Sequence, residues 1–159
     1  MANALKADNT TAENVQTMVG PAAPSLVVRV PYKVITKPLI AGVANAFAFA
    51  IQNPEDTDCL ILRVIIDITT AGGTATSVLD VDTVDGPTAT GDDIIDGLDL
   101  NATAPASWDN LKNPGTNGDE KPVKWAKKGG TLDDLTGKIL VADAASLVGT
   151  VIVCYVPLS

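Results

Sequence analysis

From Cys59 to Thr70 the chain runs without a glycine or proline, and its large apolar residues recur at every second position. Leu60, Leu62, Val64, Ile66 and Ile68 share one face; Cys59, Ile61, Arg63, Ile65 and Asp67 share the other. A period of two belongs to a β-strand and not to a helix. The first set predicts a core face. The second is half-apolar, as a surface covered by another subunit would be, so Cys59, Ile61, Arg63 and Ile65 are candidate interface residues. A strand of this kind needs partners in a sheet and a second layer over its apolar side.

The rest of the chain supplies such partners. Leu26–Val30 is a short β run closed by Pro31, and Lys33–Ile35 continues it or forms a second piece. In Ala46–Ile51, Phe47, Phe49 and Ile51 point one way and the alanines the other. Ala71-Gly72-Gly73-Thr74 predicts a hairpin, because glycine accepts positive φ without strain. The return strand is Thr76–Val84, with Leu79, Val81 and Thr83 on one side. Ile94–Leu100 is a further run, 101–120 a long loop, and Pro122–Trp125 a short edge strand. Thr131–Gly137 reads as one helical turn ended by glycine, followed by a strand over Lys138–Val141. Leu147–Val156 is apolar on both faces, which predicts a strand central in a sheet or one under an interface. Eight or nine strands with turns between them predict an all-β, two-sheet sandwich, and within that class a jelly roll.

Residues 1–24 differ from the sandwich predicted for 25–159. They are small, polar and Ala-rich, and they end in Gly20-Pro21-Ala22-Ala23-Pro24. Thr10-Thr11-Ala12-Glu13 can cap a helix of two turns, too short to hold alone in water. This segment is read as an extended N-terminal arm that can lie on a neighbouring subunit, or as a disordered leader.

Charge and composition narrow the function. The formal net charge is -8, so an anionic duplex or membrane surface repels the chain, and neither nucleic acid nor membrane is an expected partner. The chain has no histidine, which removes the commonest general base and the usual zinc ligand. No catalytic set emerges, and the chain is not expected to be an enzyme. The opening Met-Ala-Asn-Ala-Leu-Lys does not begin a signal peptide, and no stretch is long enough to span a bilayer. A chain made in a cytoplasm is expected. Cys59 and Cys154 both sit in apolar runs, as two buried thiols or as a disulfide joining neighbouring strands.

Two charged clusters are candidate sites. Asp80, Asp82, Asp92 and Asp93 lie close in sequence and are conceivable calcium ligands, without EF-hand spacing. The alternative is a solvated acidic face. Lys121-Pro122-Val123-Lys124-Trp125-Ala126-Lys127-Lys128 is a basic patch. Lys121, Lys124 and Trp125 either dock on an acidic surface, or the lysines keep an exposed edge strand from pairing with strangers.

The stretches Phe49–Glu55, Ile65–Val81, Ile94–Asn101 and Leu147–Val153, taken together, resemble small proteins encoded beside the capsid genes of tailed bacteriophages and prophages. These are capsid decoration or head proteins. The likeness covers roughly residues 45–156 and leaves the arm outside. It implies a jelly-roll-like sandwich, a homotrimer, and a place on the outer lattice of a virion. The implied partner is the major capsid protein, and the implied role is to reinforce the shell against packaged DNA. Two other readings stand beside it. One is a subunit of an extracellular filament or tube, in which an arm or strand of one copy completes the sheet of the next. The other is a carbohydrate-binding sandwich that uses Trp108 and Trp125.

Overall fold

The structure, a computed structural model, describes residues 18–20, 23–25, 32–72, 76–101, 107–118 and 120–158. The chain divides into two units, Met1–Tyr32 and Lys33–Ser159. In the first, β1 (Met18–Gly20) pairs antiparallel with β2 (Ala23–Ser25). The capped helix expected at Thr10–Glu13 and the run Leu26–Val30 lie outside the described residues.

The second unit is a β-sandwich, and its described residues contain no helix. One sheet holds β4 (Phe47–Gln52), β10 (Asp134–Leu140), β6 (Val78–Val84) and β7 (Ile95–Asp99), in that order. The other runs β3 (Lys33–Pro38), β11 (Val148–Pro157), β5 (Cys59–Thr70) and β8 (Ser107–Asp109), and β9 (Val123–Trp125) also pairs with β5. Every pairing is antiparallel.

The hairpin expected at Gly72-Gly73 is not formed: β5 and β6 belong to different sheets. Gly72 instead begins an arch between the layers. Its amide donates to the Leu100 carbonyl, and its own carbonyl accepts from Ser146. A Cβ at this position would press on Ala144, which is why glycine stands there. The helical turn expected at Thr131–Gly137 is likewise replaced, by β10 from Asp134 onward. Its ladders to both β4 and β6 satisfy the backbone, and the Leu135 side chain is buried. Tertiary pairing overrides a weak local preference here.

The core lies between the sheets. Phe49, Ile51, Leu79, Val81, Leu135 and Ile139 from the four-stranded sheet meet Val64, Ile66, Ile68, Val151 and Val153 from the other. Each fully buried aliphatic side chain contributes about 1.5–3 kcal/mol. As expected, β11 is central, between β3 and β5.

Two strands change phase part-way. In the ladder between β11 and β5, Cys154 faces Arg63 and Tyr155 faces Ile61, so Leu62 is an extra residue. A bulge of this kind reverses the faces. Val64, Ile66 and Ile68 point inward as predicted, but Cys59 and Ile61 replace Leu60 and Leu62 in the core. Between β10 and β4, Gly137 faces Phe49 and Lys138 faces Phe47, which leaves Ala48 extra. Phe49, Ile51 and Ala48 are buried, while Phe47 is displaced to the rim under the Lys138 amine.

Candidate interaction surfaces

Register places an apolar row on the outer face of the five-stranded sheet. Val34, Cys154 and Arg63 are cross-strand neighbours, and beside them stand Thr36, Ile152 and Ile65. Direct cross-strand partners project to the same face. Val34 is 51% exposed. Ile152, Cys154 and Ile65 are half-buried, because each is flanked on both sides by neighbouring strands. Both cysteines are free, so no disulfide joins the strands.

Arg63 fixes one margin of this face. Its Nε donates to Asp109 Oδ2 at 2.7 Å, and Nη2 donates to the same oxygen. Burial raises the Asp109 carboxyl, but the Arg63 guanidinium and the Leu111 amide outweigh it and hold the group below its ordinary value. Along β5, in the gap between the stretch paired with β8 and the stretch paired with β9, Asn110 takes the place of a strand. Its Oδ1 accepts from the Val64 amide at 2.8 Å, and its own amide donates to the Val64 carbonyl at 3.2 Å.

A second feature lies along the side of the sandwich where β3 and β4 form the sheet edges. An open groove of about 770 Å³ is lined there by Lys33, Ile35, Lys37, Ile51, Pro54 and Tyr155, among others. Lys33 Nζ donates to both Glu55 oxygens, at 2.8 and 2.9 Å, and the Tyr155 hydroxyl donates to Glu55 Oε1 at 2.9 Å. The Lys33 bond holds the Glu55 carboxyl low, while burial and the Glu55 bond hold the Tyr155 phenol high. Lys37 Nζ reaches the Ala50 carbonyl of β4 at 3.3 Å.

The predicted interface residues are therefore split. Arg63 and Ile65 lie on the outer face. Cys59, Ile61 and Trp125 are fully buried in the sandwich, and their side chains are unavailable to a partner. Lys121 and Lys124 are exposed. Lys124 pairs with Asp58 at 2.7 Å, so part of the basic patch is matched within the chain. Trp125 donates from Nε1 to the Asp133 carbonyl at 2.8 Å, and Trp108 packs against the core. Neither indole stands free as a platform for a sugar.

The acidic candidates mostly tie down backbone. Asp80 Oδ1 accepts from the Gly97 amide at 2.8 Å, Asp82 Oδ1 from Thr83 at 2.6 Å, and Asp92 Oδ2 from Asn117 Nδ2 at 2.9 Å. Burial raises the Asp82 carboxyl to about 6, and the nearby Asp93 and Asp92 charges add to the rise. Burial also raises Asp80. Among the described residues, no three acidic or cysteine side chains gather closely enough to hold a metal ion.

No family model and no curated protein matches the chain. Its surfaces are the available guide to function. Sequence reasoning missed Val34, Ile152 and Cys154 as members of the outer face. The alternation within Leu147–Val156 carried Ile152 and Cys154, since apolar residues on both faces of a central strand leave one set pointing outward, while Val34 belongs to β3. Nothing local could reveal the Glu55–Tyr155 contact, which spans 100 residues of chain.

Proposed function

We propose that this chain is a structural virion protein that decorates a phage capsid, binding its outer lattice and reinforcing the shell. The observation that carries the reading is the apolar row Val34–Cys154 and Ile152–Ile65 on the outer face of the five-stranded sheet. Such a face suits contact with another protein better than it suits water. The residue-level likeness to capsid decoration proteins points to which protein that is.

The strand order supports the same reading. Between β3 and β11 every connection except β6–β7 and β8–β9 passes from one sheet to the other. We read that interleaving as a jelly roll, the fold the likeness implies. The mechanism is mass action: a protein that binds only the assembled shell stabilises it by its binding free energy. A homotrimer would touch several capsid subunits at once and gain avidity. In this reading the arm, residues 1–24, threads along the shell or an adjacent copy. The filament reading draws on one observation of its own: among the described strands, β3 pairs only with β11.

The test is co-sedimentation of the purified protein with shells assembled from the major capsid protein of the same genome. Saturable coating, and coated shells that survive heating better than bare ones, are expected. Deleting residues 1–24 should leave the sandwich folded and abolish coating. Shells that sediment bare at saturating protein would overturn the capsid reading. Fibres that grow with concentration would favour the filament.

A further inference from the structure

We infer that Asn117 is a site of spontaneous deamidation, and that the modification unlatches the segment 109–118 from β7. The inference does not rest on the capsid reading. Asn117-Gly118 is the one Asn-Gly pair in the chain. Asparagine is among the side chains that fail chemically with time and heat, and a following glycine has no Cβ to shield its own nitrogen. Asn117 is exposed and lies outside the strands, and among the described residues no hydrogen bond is donated by the Gly118 amide. Glycine is also required at 118, since a Cβ there would meet the Pro114 carbonyl oxygen.

The chemistry needs only water. Once solvent base has taken its proton, the Gly118 nitrogen attacks Asn117 Cγ and forms a bond to it. The Cγ–Nδ2 bond breaks, and Nδ2 leaves as ammonia with a proton from water. Water then opens the five-membered imide at either carbonyl, leaving aspartate or its isomer linked through the side chain. Either product carries a carboxylate where the amide stood.

That amide closes a strap between the two sheets. At one end Asn110 bonds twice to the Val64 backbone of β5. At the other, the Pro114 carbonyl accepts from the Asp96 amide of β7 at 2.7 Å. Asn117 completes the hold: its backbone amide donates to Asp96 Oδ2 at 3.0 Å, and its Nδ2 donates to Asp92 Oδ2 at 2.9 Å. A carboxylate at 117 has no proton to donate. It would face the charges of Asp92 and Asp96, alongside Asp80, whose carboxyl already feels both of them. An attraction becomes a repulsion between like charges. At the β5 end, Trp108 Nε1 and Asn110 Nδ2 are buried without a hydrogen-bond partner. Water reaching these two donors would favour the lifted strap.

Ageing the full-length protein in mildly alkaline buffer, followed by peptide mass spectrometry, tests the site. The peptide that holds Asn117-Gly118 is expected to gain about one dalton, an NH2 exchanged for OH, in a fraction that rises with time and with pH. Asn117→Gln, whose side-chain carbonyl lies one methylene further from the nitrogen, should keep its mass over the same period. Asn117→Asp stands in for the modified chain. It should melt about 4 °C below the wild type, with faster hydrogen exchange at the Asp96 amide. Adding Asp92→Asn returns a donor to the pair and should restore both. An aged protein whose Asn117 peptide keeps its mass overturns the site. An Asn117→Asp variant with wild-type melting and exchange overturns the unlatching. Capsid coating is a separate readout, so failure here leaves the decoration reading standing.

Discussion

Trp125 stands edge-on to Tyr155, with ring centroids 5.6 Å apart and planes at 85°. The pair joins β9 to β11 in a core otherwise built largely from aliphatic side chains, and each ring also uses its polar atom. Trp125 donates to the Asp133 carbonyl and Tyr155 to Glu55. Trp125→Ala would open a cavity and strand a carbonyl, at a cost of about 3–5 kcal/mol. Tyr155→Phe keeps the packing and loses one bond to a carboxylate that Lys33 still holds, so about 1 kcal/mol is expected. Urea unfolding of both variants checks the order, and equal losses would mean that the hydroxyl matters as much as the ring packing.

Asp82 sets a pH dependence. Its carboxyl titrates near 6 in the folded chain and near about 4 unfolded. A raised value means that the stability it contributes is fully present below about pH 4 and is lost as pH rises through 6. Asp82→Asn mimics the neutral form. The variant should gain on the wild type by roughly 1 kcal/mol between pH 4 and 7, a figure discounted because the group is half in contact with water. Chemical denaturation across that range gives the difference, and a difference that does not change with pH removes Asp82 as its source.

Val141 has φ of 67° and is 73% exposed. A β-branched residue in the left-handed region is strained by about 1–2 kcal/mol, and an exposed side chain recovers little of that by packing. Val141→Gly should therefore raise the melting temperature, despite the greater chain entropy of glycine in the unfolded state. A lowered melting temperature would show that the valine packs more than its exposure suggests.

Ile152→Lys places a charge in the middle of the outer apolar row. The side chain is half-buried by its neighbours in the sheet, and a lysine stem can follow the same path with its amine in water. The fold should survive within about 1 kcal/mol, while any assembly through this face weakens by tenfold or more. Near-UV circular dichroism and light scattering separate the two effects. Unchanged assembly would remove this face from the contact.

How much of this was legible in the sequence depends on the element. The alternation of Cys59–Thr70 identified the longest strand, and the doubly apolar Leu147–Val156 marked the centre of its sheet. The inward phase of Cys59 and Ile61 was not legible. It depends on the extra residue at Leu62, which exists only relative to Cys154 and Tyr155 on the partner strand. Phe47 was misplaced for the same reason, through Ala48 and β10. Gly72-Gly73 marked a sharp change of direction but did not say whether the chain would return in the same sheet or cross to the other. Of the candidate surface, Arg63 and Ile65 were found from one strand, while Val34, Cys154 and Ile152 required the register of three.

The position of β11 also bears on how the protein is made. It joins β3 to β5, yet it follows every other described strand in the chain. Until it emerges, β3 has no partner among the other described strands, and Ile35 and Val64 lack the Val153 side chain that lies between them. The five-stranded sheet can close only after synthesis has passed Pro157, so the edges of β3 and β5 that β11 joins wait from their own synthesis until then. That is the interval in which a chaperone, or a second nascent copy on the same message, would meet it.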